Sequence, residues 1–560
     1  MRRLTVRMSG VFGLLVASSL ALVGGGPREP ASEGAPADMR RLTEEQYRNT
    51  IADLFGPTVT YSGHFDPLTR TEGLMALGAR TAQVTPSGFE QYYVSARSIA
   101  AQVLNETNRQ VLVPCKPVSS TSADDICAKE FFTKVGRLLY RRPLSAAEID
   151  VSLTLAHEVA VRRSDFYQGL AFSLAGMMAT PNFLFVIDSI EVDPSSPGNV
   201  RLTSFARASR LSFLLWNSTP DDVLLDAAER GDLYTKSGLD AQIERMVGSP
   251  NLEAGVRAFF ADFLNLEKLE TLEKDPIIYP AFGARTTEDS REQLLRTITD
   301  HLVARNLDYR DLFTTGRTFL TATLARVYKL PVDRPDGGWA PYQFASDDPR
   351  AGLMAQIAFL AVNSHPGRSS PTLRGRAIRE VLLCQKVPDP PGDVDFSLFN
   401  DPNSPSKTAR QRLAVHATAP ACAGCHKITD PIGLGLESFD GAGAIRATES
   451  GEVIDVSGDL DGKPFKDAAG LAKVMRDNPA VPACLVNRLY AYAVGRPAGH
   501  AEKDTITYFE KVFAAGGYRV PELLRRIAAS EAFYRVSLPR SGTSAQSSST
   551  VGYAQKDNPS

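Results

Sequence analysis

The sequence predicts a mainly α-helical protein built from several helical modules. Apolar residues recur at helical spacing through most of the chain, for example over 165–187 and 203–216. Two capping boxes, at Thr43–Gln46 and Ser145–Glu148, are typical of helix starts. Strand-like alternation of apolar and polar residues is scarce. These three observations favour helix packed on helix over a sheet-based fold.

Composition and charge exclude several classes of protein. Hydrophobic residues make up 43% of the 560 residues and charged residues 22%, which is a globular composition and excludes collagen, coiled coil and wholesale disorder. The net charge of −2 gives no electrostatic basis for binding nucleic acid or an anionic membrane surface. Six cysteines are too few for a disulfide scaffold of this length, so each is considered separately.

The first 26 residues have the pattern of a signal peptide. Arg2, Arg3 and Arg7 precede an apolar run over 11–23 that is too short to span a bilayer. An uncleaved anchor and the twin-arginine route, suggested by Arg2–Arg3, are the alternatives. No later stretch is apolar enough to cross a membrane. We therefore expect a protein exported to the periplasm, the cell envelope or beyond, with no membrane span once the signal is removed.

Start and stop signals order the elements along the chain. Leu42 and Tyr47 form a hydrophobic staple around the first capping box, and Gly56–Pro57 ends that helix. The second capping box follows Arg141-Arg142-Pro143-Leu144. Further helical patterns begin at Thr219–Asp222 and continue over 286–306 and 351–362, and Pro-rich segments separate the modules.

The predicted divisions are a signal peptide (1–26), a flexible leader (27–38), helical modules at 39–110, 111–190 and 200–330, the first part of a fourth module (349–386), a Pro-rich linker (387–408), the second part of the fourth module (409–450), a C-terminal helical module (451–537) and a disordered tail (538–560).

One motif carries chemistry, the run Cys422-Ala423-Gly424-Cys425-His426. The CxxCH spacing is typical of covalent attachment of a c-type haem, because two thiols can each add to a vinyl group and the adjacent His can ligate the iron. A redox-active pair and half of a zinc site are the alternatives, although no second CxxC completes a zinc site. We predict one covalent haem c on Cys422, Cys425 and His426, in a C-terminal cytochrome c-like helical domain.

The surroundings of the motif suggest further roles. Asp430–Gly435 reads as a turn-rich loop whose backbone could accept a hydrogen bond from Nδ1–H of His426. Arg446 could pair with a haem propionate or be an ordinary exposed arginine. Met475, His416 and His365 are the candidates for the sixth ligand, and an open position is the other possibility.

The remaining four cysteines form two candidate disulfides, Cys115–Cys127 and Cys384–Cys484. An oxidising compartment favours both. Buried free thiols are the alternative for the second pair, because sequence separation alone does not establish proximity.

From about 40 to 536 the chain resembles the planctomycete-type multidomain c-type cytochrome family. The motifs that carry the resemblance are, in order, RLT with DLFG (41–56), RRPL (141–144), TPNFLF (180–185), RLSFLLW (210–216), SPTLRG (370–375), the CxxCH motif with DP (430–431) and FD (439–440), and YAVGR (492–496). The resemblance implies successive modules of unknown function and a haem held by Cys422, Cys425 and His426. It also matches His416 to a His that precedes the motif in the family, which places His416 level with Met475. It implies no reaction or substrate.

The function that the sequence predicts is haem binding and electron transfer for a periplasmic or envelope oxidoreductase system, with a redox partner protein of unknown identity. A haem peroxidase or oxygenase with an open distal site is one alternative, and a surface protein with ancillary haem is another. The GxSxG, HExxH, P-loop and GxGxxG motifs of other enzyme classes are absent from the sequence.

Overall fold

The structure is a computed structural model. It describes residues 28–61, 63, 65–331, 338–345, 348–389, 406–416 and 420–538, without the side chains of residues 415, 416, 420 and 421. The predicted signal peptide, most of the Pro-rich linker, nearly all of the predicted tail and the His416 side chain lie outside the described residues.

Helices account for 56% of the chain and the strands are few and short, which confirms the predicted mainly α-helical class. The α-helices are Glu44–Phe55, Met75–Gly78, Pro86–Val103, Arg109–Leu112, Asp125–Tyr140, Ala146–Arg163, Phe166–Met178, Pro181–Leu184, Ser204–Leu215, Asp222–Glu229, Lys236–Val247, Leu252–Phe263, Ala284–Thr299, Ala322–Tyr328, Ile357–Val362, Pro371–Ala377, Ala409–His416, Pro420–Gly433, Ala468–Arg476, Ala480–Val494, Lys503–Ala515, Val520–Ala529 and Glu531–Tyr534. Short 3₁₀ turns and two π-helical turns, Asp300–Ala304 and Ile378–Leu382, supplement them.

The strands pair only in twos within the described residues. The antiparallel pairs are Met39–Arg41 with Phe185–Ile187, Ile190–Val192 with Val200–Leu202, Arg317–Leu320 with Ala340–Gln343, Thr448–Glu449 with Glu452–Val453, and Gly458–Leu460 with Lys463–Phe465. Ala35–Pro36 pairs in parallel with Val536–Ser537.

Both predicted capping boxes form. Thr43 Oγ1 accepts from the Gln46 N–H and the Gln46 side chain accepts from the Thr43 N–H, each at 3.2 Å. Ser145 and Glu148 make the same reciprocal pair. These bonds satisfy N–H groups that a helix start leaves without intrahelical partners, so the sequence signal located both helix starts correctly.

Two large hydrophobic cores divide the molecule. The first is formed by buried residues from 42 to 186 together with Phe213, and it is rich in aromatic rings. The second extends from Leu74 and the 200s to Val536 and contains the helices of the C-terminal third. A small third core lies around Tyr328 and Ile357. The segment that follows the CxxCH motif contributes Ile432, Leu436 and Phe439 to the second core and Ala442 and Ala444 to the third.

The two ends of the described chain meet. Besides the parallel strand pair, Glu29 accepts a hydrogen bond from the Ala532 N–H, and Arg210 donates to the Phe533 carbonyl. Within the leader, which the sequence predicts to be flexible, Ala35–Pro36 therefore forms a two-residue strand paired with the C-terminal segment. Among the residues described, no helix is both long and apolar enough to cross a bilayer.

Candidate functional site

The CxxCH motif lies in the Pro420–Gly433 helix, called the CxxCH helix below. Cys422, Cys425 and His426 occupy positions i, i+3 and i+4, which share one face of an α-helix. All three are partly exposed. The helix thus presents two thiols and one imidazole on the same side.

The two motif cysteines are free thiols, whereas the other four cysteines form disulfides. Burial raises the pKa of the Cys425 thiol above its ordinary value. A redox-active CxxC pair has a lowered pKa instead. Among the described residues there is also no cluster of three or more His, Cys, Asp or Glu side chains that could hold a metal ion, as a zinc site requires.

The imidazole of His426 is oriented by a carboxylate one helical turn later. Nδ1 of His426 lies 2.7 Å from Oδ2 of Asp430, and this hydrogen bond raises the pKa of the imidazole. An ionised carboxylate only accepts, so Nδ1 carries the proton and the neutral ring has its lone pair on Nε2. This is the tautomer that a metal-ligating histidine needs.

The predicted loop at Asp430–Gly435 is wrong. The CxxCH helix continues to Gly433, with Pro431 in its last turn, and a 3₁₀ turn follows at Leu434–Leu436. Pro431 is tolerated because it lies only two residues before the end of the helix. The partner of Nδ1 is consequently the Asp430 side chain and not the loop backbone.

Asp430 is itself fixed by hydroxyl groups. Its Oδ1 accepts from the Thr372 hydroxyl at 2.8 Å and from the Thr429 hydroxyl at 3.2 Å. Only 8% of the Asp430 side chain is exposed, so little water competes for these bonds. The chain Thr372–Asp430–His426 therefore links the imidazole to the neighbouring Pro371–Ala377 helix.

Two glycines let these helices approach until their backbones touch. A Cβ atom added at Gly375 would lie 1.9 Å from the Thr429 carbonyl oxygen, and one at Gly433 would lie 1.8 Å from the Pro371 carbonyl oxygen. Neither distance can be accommodated without moving backbone. The SPTLRG segment thus positions the CxxCH helix through Gly375 as well as Thr372.

A buried polar cluster lies beneath the same segment. The fully buried Arg374 guanidinium donates to Glu437 and to the Leu436 and Phe439 carbonyls at 2.8–3.2 Å. Glu437 also accepts from Arg446 at 2.7 Å. The Arg446 side chain is one-fifth exposed and forms an ion pair with Glu437. Its contact with a haem propionate remains a prediction.

The three candidates for the sixth ligand lie in different surroundings. Met475 is fully buried in the second core on the Ala468–Arg476 helix. His365 is partly buried, its carbonyl accepts a hydrogen bond from Lys274, and burial lowers its pKa. His416 is the last residue of the Ala409–His416 helix, and its side chain is outside the described residues. The sixth ligand therefore stays a prediction.

Both predicted disulfides are present. Cys115–Cys127 has a Cα–Cα distance of 5.5 Å and Cys384–Cys484 one of 5.3 Å. The second joins the segment after the Ile378–Leu382 turn to the Ala480–Val494 helix. It therefore connects the support of the CxxCH helix covalently to the C-terminal module.

Comparison with known families places five successive domains on this framework. The matches are 40–105 to DUF1587, 127–188 to DUF1595, 202–330 to DUF1592, 350–449 to DUF1588 and 461–533 to DUF1585, each described as a protein of unknown function. These planctomycete-type domains fit a multidomain family, and the CxxCH helix falls in the fourth of them. No curated protein and no solved structure matches the chain.

Sequence reasoning missed three contributors to this site, Asp430, Thr372 and Arg374. The i,i+4 spacing of His426 and Asp430 is a signal that could have identified the first, had the segment been predicted helical. Thr372 and Arg374 are more than 50 residues from their partners, so no local pattern indicates them.

Proposed function

We propose that this protein is an exported monohaem c-type cytochrome that transfers electrons to or from a partner protein. Cys422 and Cys425 would hold the haem through thioether bonds, and His426 would be the proximal ligand of its iron. A bound haem supplies reversible one-electron chemistry.

One observation carries the proposal: two free thiols and one oriented imidazole share a face of a single helix. The other four cysteines are consumed in disulfides, so Cys422 and Cys425 are the thiols that remain for attachment. This donor set fits a c-type haem. It does not fit a closed zinc site, which needs four protein ligands.

The chain's own residues have distinct tasks in this proposal. Cys422 and Cys425 would each hold the haem by adding the S–H group across one of its vinyl groups, the sulfur bonding to one vinyl carbon and the proton to the other. Asp430 holds the proton on Nδ1 of His426 and keeps the lone pair on Nε2. Gly375 and Thr372 position the CxxCH helix against its neighbour.

Export supports the same function. The two disulfides are typical of an oxidising compartment, as the periplasm or cell envelope is. Haem is also attached to CxxCH motifs outside the cytoplasm. The electron carrier and its location are therefore consistent with each other.

The test is haem staining of the denatured chain after expression in a host that attaches c-type haem. We expect a stained band for the wild type and none for Cys422→Ser/Cys425→Ser. The matched control is Cys115→Ser/Cys127→Ser, which also removes two sulfurs and should retain the stain. An unstained wild-type chain, expressed beside a stained known c-type cytochrome, contradicts the proposal.

The spin state of the iron distinguishes a carrier from a haem enzyme. Low-spin, six-coordinate iron supports electron transfer, whereas high-spin iron that reacts with peroxide would favour a peroxidase. Met475→Leu, which conserves volume in the core, can be compared with His416→Ala and His365→Ala. The variant that converts low-spin to high-spin iron identifies the sixth ligand.

A further inference from the structure

A cavity separate from the CxxCH site lies where the two ends of the described chain meet. It is a small cleft that opens to solvent, and the empty space there amounts to about 530 Å³ only when the adjoining solvent is counted. Its walls include the Met39–Arg41 strand, the C-terminal end of the Ala480–Val494 helix and the segment at 532–535. None of its lining residues belongs to the CxxCH helix.

The lining of this cavity is strongly cationic. The charged residues that line it are Arg40, Arg80, Arg210, Arg496, Arg535, Asp38 and Asp188. Five positive charges therefore face two negative ones, in a chain whose net charge is only −2. The excess of positive charge is local to this cavity.

Two of the five arginines form no ion pair of their own in the described part of the chain. The others are paired: Arg80 with Asp38, Arg210 with Asp188, and Arg496 with Glu502. Within the described part of the chain, Arg40 and Arg535 have no carboxylate within ion-pair distance. Neither guanidinium group therefore has a direct carboxylate partner, although Asp188 acts on Arg40 from beyond ion-pair distance.

Strand geometry directs Arg40 to the cavity. Successive side chains on a strand point to opposite faces, and Arg41 is buried on the other face, where it donates to the Asp66 carbonyl. Arg40 packs instead against Gly495, where an added Cβ would lie 3.2 Å from Arg40 Cδ. Gly495 has φ +71° and permits both the turn and this close approach.

The surroundings of Arg40 disfavour its charged form, although the side chain keeps partial contact with solvent. Burial lowers the pKa of the guanidinium, and its ring contact with Phe213 is at 5.9 Å, near the outer limit of a cation–π interaction. A cation that is partly removed from water and has no direct carboxylate partner carries an energetic cost. An anion in the cavity would remove that cost.

We propose that this cavity binds a small organic anion, with a carboxylate or phosphate group held between Arg40 and Arg535. Guanidinium groups bind both oxyanions through paired N–H···O bonds. The site draws residues from four of the five matched domains, through Arg40, Asp188, Arg210 and Arg496. Binding would therefore stabilise the association of the N-terminal and C-terminal segments.

The test measures thermal unfolding and binding heat of the full chain with inorganic phosphate and with succinate, against chloride at equal ionic strength. We expect at least one probe to raise the unfolding temperature saturably. Arg40→Gln and Arg535→Gln should each weaken binding by about tenfold or more, the usual consequence of losing a charged hydrogen-bond donor. The matched control is Arg163→Gln, an exposed arginine with the same change in charge, which should bind like the wild type.

The probes separate the sources of the anion. A response to phosphate alone indicates a phosphate-bearing ligand, a response to succinate alone a carboxylate, and a response to both the shared oxyanion chemistry. The proposal is overturned if neither probe exceeds chloride, or if binding is unchanged in both variants. Should Arg40→Gln fail to fold, Arg535→Gln decides the question, because this residue is partly exposed and outside the cores.

Discussion

The aromatic centre of the first core and the polar cluster beneath the CxxCH helix stabilise the protein in different ways. In the first, the Tyr47 ring contacts Phe65 and Phe183 with centroids 5.0 and 5.2 Å apart, and its hydroxyl has no hydrogen-bond partner in the described part of the chain. In the second, Arg374 and Glu437 are equally buried but bonded to each other. A core of packed rings tolerates substitutions that conserve volume. A buried charged pair requires specific residues, because its hydrogen bonds are directional.

The two disulfides differ in the length of the loop that each closes. Removing them should cause the largest change in the free energy of unfolding. Cys384→Ser/Cys484→Ser opens a loop of 100 residues, and the chain-entropy model predicts a loss of about 4–5 kcal/mol. Cys115→Ser/Cys127→Ser opens a loop of 12 residues and should cost about 3 kcal/mol. Denaturant unfolding of both variants measures the difference. Equal losses would show that loop length does not determine the contribution of these disulfides.

Replacing Arg374 in the polar cluster should reduce the free energy of unfolding much more than replacing Tyr47 in the aromatic centre. Arg374→Met leaves Glu437 with only one arginine and strips hydrogen bonds from buried carbonyls, so we expect a loss of about 3–5 kcal/mol in the free energy of unfolding. Tyr47→Phe removes an unpaired hydroxyl and should change that free energy by less than about 1 kcal/mol, or raise it. Urea unfolding followed by fluorescence tests both. A small effect of Arg374→Met would remove the distinction between the regions.

The close approach of helices beneath the CxxCH motif can be tested with two glycines. Gly375→Ala should cost about 1–3 kcal/mol because its Cβ would collide with the Thr429 carbonyl. Gly424→Ala is the matched control, since among the described residues no atom outside the local helix backbone lies within 4 Å of a Cβ there, and it should be neutral or slightly stabilising. Thermal unfolding compares them. If Gly375→Ala is as stable as Gly424→Ala, the backbone contact does not position the helix.

The smallest expected effect is on stability at acid pH, through Glu148 on the Ala146–Arg163 helix. Hydrogen bonding to Arg142 lowers the pKa of Glu148 from 4.5 to about 2. A carboxyl with a lowered folded-state pKa adds stability that is present above pH 4.5 and is lost as pH falls to about 2. Glu148 is partly solvated, so we expect no more than about 1 kcal/mol. Glu148→Gln should reduce the acid dependence of unfolding between these pH values, and an unchanged profile would contradict the assignment.

The sequence predicted what local patterns determine. Capping boxes located the helix starts at Glu44 and Ala146. The CxxCH spacing identified the motif, but not the helix on which its side chains share a face. The end of the CxxCH helix was mispredicted because Pro431 and Gly433 are usually helix breakers. In the folded protein Gly433 instead provides contact with Pro371.

The side-chain contacts of the site could not be predicted, because they join segments that are distant in the sequence. Thr372 and Asp430 are 58 residues apart in sequence, and the Arg374–Glu437 pair is separated by 63. The arginine-lined cavity collects residues from both ends of the chain. No periodicity or spacing in a single sequence encodes such juxtapositions, because they arise only when the modules pack.

The most direct test of the proposed function is peptide mapping of the reduced, denatured and proteolysed protein after expression in a host that attaches c-type haem. If the protein is a c-type cytochrome, a single peptide that contains Cys422 and Cys425 will carry the mass of one haem, with neither sulfur open to alkylation. Recovery of that peptide without haem, with both thiols alkylated, would contradict the proposed function.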